Sequence, residues 1–220
     1  MSYHYYEYRP NHSSFGPSLS KGIKKLMIIM GVIFFLQLFL GRLLIAFCGL
    51  RPYYVWHRFF LWQPVTYIFL HGGLMHLIMN LFALWMFGSE LEYQWGTNFF
   101  IKYFFITGIG AGLCTALFNP YSRIPTIGAS GAIYGILLAF AITYPNRIIY
   151  LNFLFPIKAK YFALIFGLIE FYSTVSQRVD GVAHIAHLGG MVIGYIYLNH
   201  SNILRKIKSL RHSKRDNYWN

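Results

Sequence analysis

The sequence predicts an all-α integral membrane protein: a six-transmembrane-helix bundle with both termini cytoplasmic. Three observations carry that expectation. The 220 residues are 56% hydrophobic and only 11% charged, where an average soluble domain carries about 25% charged residues. The apolar residues gather in six long runs, as membrane spans do, rather than scattering as they would around one soluble core. With six crossings, the side that holds both ends also holds 14 of the 19 Lys and Arg residues, counting Lys102 there, and that excess marks the cytoplasmic face.

Taken in order, residues 1–22 form a polar N-terminal tail rich in aromatic and turn-forming residues. The tail lacks the basic-then-apolar order of a cleaved signal peptide. Residues 23–200 form the membrane domain, and 201–220 a basic C-terminal tail whose charges fix topology or touch anionic lipid. The first run, 26–47, follows Lys24 and Lys25 and is too long for a signal core, so it reads as a retained span. Residues 49–69 are aromatic and interrupted by Pro52 and Pro64. They read as a large interfacial loop between the first two helices, with Tyr and Trp at headgroup depth. The remaining spans fall at 70–88, 99–118, 129–144, 161–176 and 183–199.

The net charge of +13 would suit a nucleic-acid partner, but the basic residues sit at the ends of apolar runs. That placement fits membrane orientation, so the lipid bilayer and not nucleic acid is the expected partner. Cys48 and Cys114 both lie in apolar runs, with neither a disulfide framework nor metal-ligand spacing.

Spans two, four and six then all run from outside to inside, and the polar residues fall in their outer halves. Span two opens on "HGGLMHLIMN", with His71, His76 and Asn80; span four opens on Ser130; span six carries His184 and His187. Polar and ionisable groups at membrane depth are expensive, and three co-directional helices supply them at matching depth. One such residue alone would read as interhelical glue. His71 and His184 sit about a turn outward of stronger candidates and either face interfacial water or hold structure.

Gly131 and Gly135 are four apart, as are Gly190 and Gly194, and small residues at that spacing let helices approach closely. Packing spans four and six through these faces would bring His187 to Ser130, a base to a nucleophile. Tyr134, four residues after Ser130, either stacks on that imidazole or packs as an ordinary aromatic. Glu170 and Asp180 are the conceivable third carboxylates, but neither has an obvious placement, so a serine–histidine dyad is expected. No acid lies within a helical turn of His71, His76 or His187, so no metal and no cofactor is expected.

Gly128-Ala129-Ser130-Gly131 resembles the Gly-x-Ser-Gly motif of the rhomboid intramembrane serine proteases of bacterial type, with their six-transmembrane core. "HGGLMHLIMN" and His187-x-x-Gly190-x-x-x-Gly194 are similar to the motifs of that family's second and sixth spans, and the resemblance covers about 20–200. It implies Ser130 as nucleophile and His187 as base. It also implies an oxyanion hole of His76, Asn80 and the Ser130 N–H, with Tyr134 on the base and His71 structural. Trp62 resembles the tryptophan of a family loop motif, but Gln63 stands where the family has arginine. The implied substrates are transmembrane proteins cut near the outer leaflet, and the implied location is a bacterial inner membrane. Oligomeric state is left open. An inactive client-binding relative would lack the serine or histidine. A transporter would carry polar residues through the whole depth, yet "LFALWMF" and "ILLAFAI" are apolar.

From Ser130 to Tyr144, ahead of Pro145, is only 15 residues, or about 22 Å against a core of about 30 Å. Span four is too short to cross, so 119–127 must dip inward and the serine must sit at the floor of a wet, outward-facing cavity. Span five is bulky and aromatic, and reads either as a lateral gate, by resemblance, or as inert lipid-facing bulk.

Overall fold

The computed structural model describes residues 17–151, 154–176 and 183–216, the last stretch beyond 200 as backbone only. Of the tails expected at 1–22 and 201–220, residues 1–16 and 217–220 lie outside the described residues, as does Asp180. Helix α1, Lys21–Cys48, bends at Leu40, beside Gly41, and is followed by two short helices, α2 (Pro52–Arg58) and α3 (Gln63–Thr66). The segment expected to be a loop is thus mostly short helical turns, each with a proline, Pro52 or Pro64, in its first two positions to preset the helical φ.

Helix α4 (Leu74–Ala83) runs through a π-helical turn, Leu84–Gly88, into α5 (Ser89–Trp95). This second long helix extends seven residues past the expected end at 88. Gly96, at φ 82°, breaks it and begins α6 (Thr97–Phe118), and Asn119-Pro120 ends α6 in turn. Helix α7 is Ser130–Thr143, α8 is Ala159–Val175 and α9 is His184–Asp216. Between α7 and α8 lies a two-stranded antiparallel hairpin, β1 (Ile148–Leu151) and β2 (Phe155–Lys158), which the sequence did not lead us to expect. Helix α9 continues past the expected boundary at 200.

The stretches Lys21–Cys48, Leu74–Trp95 and Thr97–Phe118 are long and apolar enough to cross a membrane; α7 is apolar but shorter. Its 14 residues rise about 21 Å. The buried core lies around α6 and α7, with Phe100, Tyr103, Phe104, Ile136 and Ala139 closed off from the surface. By contrast α1 and α8 carry rows of exposed Leu, Ile and Phe, as helices bathed in hydrocarbon do.

The loop after α1 is fastened to it by polar bonds. A helix leaves its last four carbonyls without internal partners. Here the Gly49 N–H takes Ile45 O and Arg51 takes Ala46 O. Trp62 Nε1 (2.9 Å) and Gln63 Nε2 (3.3 Å) both take Phe47 O, and Thr66 Oγ1 takes Cys48 O at 2.7 Å. Gln63 Oε1 also accepts the Arg51 N–H at 3.0 Å. So Gln63 is a buried two-way clasp in this chain.

Candidate active site

Irregular backbone at membrane depth must find partners in the protein. The segment before α7 does so against the α1–α4 loop. Leu50 and Thr126 exchange N–H···O bonds of 3.0 and 2.8 Å, and the Gly128 N–H donates to Tyr67 O at 2.9 Å. Gly128 sits at φ 122°, a conformation that needs glycine. A Cβ there would also lie 2.8 Å from His76 Cε1 and 2.9 Å from His76 Nε2. The chain then turns into α7 at Ser130, whose side is half-buried while Gly128, Ala129 and Gly131 are fully closed in. No side chain caps the start of α7, so its first N–H groups lack side-chain partners.

Helix α9 lies directly on α7. A Cβ on Gly190 would run into the Gly131 carbonyl, and one on Gly135 would lie 2.9 Å from Gly190 O and 2.8 Å from Thr107. Gly194 does not share that contact: it faces α6, where a Cβ would meet the Tyr103 hydroxyl. This approach sets His187 Nε2 2.7 Å from Ser130 Oγ. The Tyr134 ring stacks on the His187 ring with centroids 4.2 Å apart and planes 9° from parallel.

The carboxylate with no obvious placement in the sequence is in this cluster. Glu170 projects from α8 and is buried. Its Oε1 accepts the Tyr134 O–H at 2.5 Å, and its Oε2 lies 2.6 Å from His184 Nδ1. Oε1 also lies 3.0 Å from His187 Nδ1. That approach is off the line of a straight hydrogen bond, and Nδ1, itself buried, makes no other. A bare pair of Ser130 and His187 is therefore not what the structure contains: an acid stands behind the histidine. Sequence spacing gives no sign of this approach, because Glu170 arrives from a different helix. Ligand atoms of Glu170, His184 and His187 lie within 4.8 Å of one another, a grouping that would also suit a metal ion.

Helix α4 supplies the other polar groups. The Gly72 N–H donates to His76 Nδ1 at 3.2 Å, which leaves Nε2 as the protonated nitrogen of the neutral ring, on the side facing Gly128. Asn80 is buried; its Nδ2 donates to His76 O at 2.7 Å, which leaves one amide hydrogen to give. His71 is buried further out, edge-on to His76 at 5.2 Å between centroids. Its backbone N–H and carbonyl both pair with the Gln37 side chain of α1, at 2.9 and 3.1 Å.

Residues 58–200 match the family model described as the Rhomboid domain. The chain is 31% identical over 140 residues to Rhomboid protein 1, mitochondrial, of Saccharomyces cerevisiae, covering 59% of this chain and 38% of that protein. It is 32% identical over 135 residues to the Rhomboid protease GluP of Bacillus subtilis, covering 61% and 25%. With Rhomboid-like protein 11, chloroplastic, of Arabidopsis thaliana the identity is 32% over 165 residues, covering 67% and 55%. The shared region thus spans only about a quarter to a half of these relatives.

Proposed function

The chain belongs to the rhomboid family of integral membrane proteins, and from that premise we propose that it is an intramembrane serine endopeptidase. It cuts transmembrane segments of membrane proteins near the outer leaflet. The observation that carries this reading is the 2.7 Å contact between Ser130 Oγ and His187 Nε2 at the start of a helix too short to cross the bilayer.

The steps follow from the groups present. His187 Nε2 takes the Ser130 proton as Oγ bonds to the peptide carbonyl carbon. The carbonyl electron pair moves onto oxygen, which accepts hydrogen bonds from the Ser130 N–H, His76 Nε2–H and the remaining Asn80 N–H. His187 then gives its proton to the leaving nitrogen as the C–N bond breaks, and water repeats the cycle on the acyl enzyme. Tyr134 keeps the imidazole ring flat against it, and Gly131 and Gly190 keep α9 close enough for the contact. The helical substrate must unwind locally to expose its carbonyl, because helical backbone groups are internally paired.

Six spans, both termini on the positively charged cytoplasmic face and residence in a bacterial inner membrane complete the reading. Purified protein is tested on a panel of single-span substrates, beside Ser130→Ala and His187→Ala. Wild type cleaves and both variants fall to background; variants that cut as well as wild type would overturn the assignment.

A further inference from the structure

We propose that Glu170 is a positioning residue for this reaction, one that holds the Nδ1–H of His187 and so turns the bare Nε2 toward Ser130. The proposal rests on the protease reading for its kinetic consequence but not for its geometry. A buried carboxylate is costly unless hydrogen-bond donors surround it. Three side-chain groups converge on Glu170: the Tyr134 hydroxyl at 2.5 Å, His184 Nδ1 at 2.6 Å and His187 Nδ1 at 3.0 Å. The other described acids are elsewhere, Glu90 on Arg147 and Glu92 on Ser20, Gly22 and Ile23. A carboxylate only accepts, so the nitrogens that face it carry the protons. For His187 that fixes the tautomer: Nδ1 protonated, Nε2 with its lone pair 2.7 Å from Ser130 Oγ.

The carboxylate also acts once the proton moves. When Nε2 takes the serine proton the ring becomes an imidazolium, and Glu170 stands beside it as a counter-charge. Glu170 itself takes up no proton: the serine proton goes to Nε2 and from there to the leaving nitrogen. Tyr134 joins the two halves of this arrangement, since its ring lies on His187 while its hydroxyl holds Glu170. The site then works as serine, histidine and glutamate drawn from α7, α9 and α8.

Glu170→Gln keeps the size and removes the charge. Its kcat is expected to fall by about 10²-fold or more with KM little changed, while Glu170→Asp recovers part of the loss. A kcat in Glu170→Gln equal to that of wild type would overturn the proposal. Nitrogen-15 NMR of histidine-labelled wild type, assigned with His187→Ala, gives a test that needs no variant of Glu170 to fold. The expected neutral His187 carries its proton on Nδ1; a proton on Nε2 instead would also overturn it. A wild type as inactive as Ser130→Ala would sink the protease reading, and the NMR result would still decide the role of Glu170.

Discussion

The α7–α9 seam and helix α8 meet at one carboxylate but are held in place by opposite means. The seam is closed by backbone where Gly190 meets the Gly131 and Gly135 stretch of α7, and side chains of α6, Ala111 and Thr107, leave no room for a methyl group at Gly131 or Gly135 either. Helix α8 presents Leu164, Ile165, Leu168, Ile169, Phe171 and Tyr172 outward and turns only a narrow stripe inward, chiefly Ala159, Ala163, Glu170 and Ser173. Steric contact between backbones leaves the seam one arrangement. Hydrogen bonds to a single side chain fix α8 locally and leave the rest of it to the lipid. Ser130 and His187 thus sit on the rigid element, and Glu170 sits on the looser one.

Substitution at the seam should have the largest effect. Gly190→Leu has no space against the Gly131 carbonyl, and no folded protein is expected from it by size-exclusion chromatography in detergent. A monodisperse, active variant would show that the two helices are not locked. Next comes Asn80→Ala, which leaves the seam intact and removes one donor; activity on a single-span substrate should drop about 10²–10³-fold. A drop confined to KM would place Asn80 in binding instead.

A smaller effect is expected at Glu92, far from the seam. It accepts from Ser20 Oγ and from the Gly22 and Ile23 N–H groups at the start of α1, and from Thr97 Oγ1. Glu92→Gln removes the charge from those bonds and should lower stability by about 2 kcal/mol, read from unfolding in detergent, with kcat unchanged in the folded fraction. The smallest effect belongs to the outward face of α8: Leu168→Val should stay within about 0.5 kcal/mol of wild type. A large loss there would mean that this face packs on something other than lipid.

Much of this was legible in the sequence because membrane constraints are simple. The runs of apolar residues gave the starts of the long helices to within about five positions, although α9 runs well past its expected end at 199, and the four-residue glycine spacing pointed to α7 and α9. The end of the second long helix was harder. Its π-helical turn lets it continue past Gly88 to Trp95, and polar residues such as Ser89, Glu90 and Glu92 end an apolar run without ending a helix. The β1–β2 hairpin lacks the strict polar–apolar alternation that marks a half-buried strand. Gly194 stands four residues from Gly190, yet it meets Tyr103 and Thr107 of α6 instead of α7. Within the site, residues on one helix announced themselves by spacing, as Ser130 and Tyr134 do. Glu170 did not, because its relation to His187 exists only through space.

Helix α1 carries a final consequence, best put in terms of information. It is pinned at its start by Glu92, at its end by the side chains that take its last carbonyls, and between them by Gln37 on the His71 backbone. Along the rest of its length Ile28, Val32, Phe35, Leu38, Phe39 and Leu43 face outward. That face specifies a solvent and nothing else, so one apolar side chain there can stand for another. Two proteins with this fold could differ at each of those positions and still seat the loop behind the site in the same way. The instructions for placing α1 are written in three short polar phrases, and the long apolar text between them is spacing.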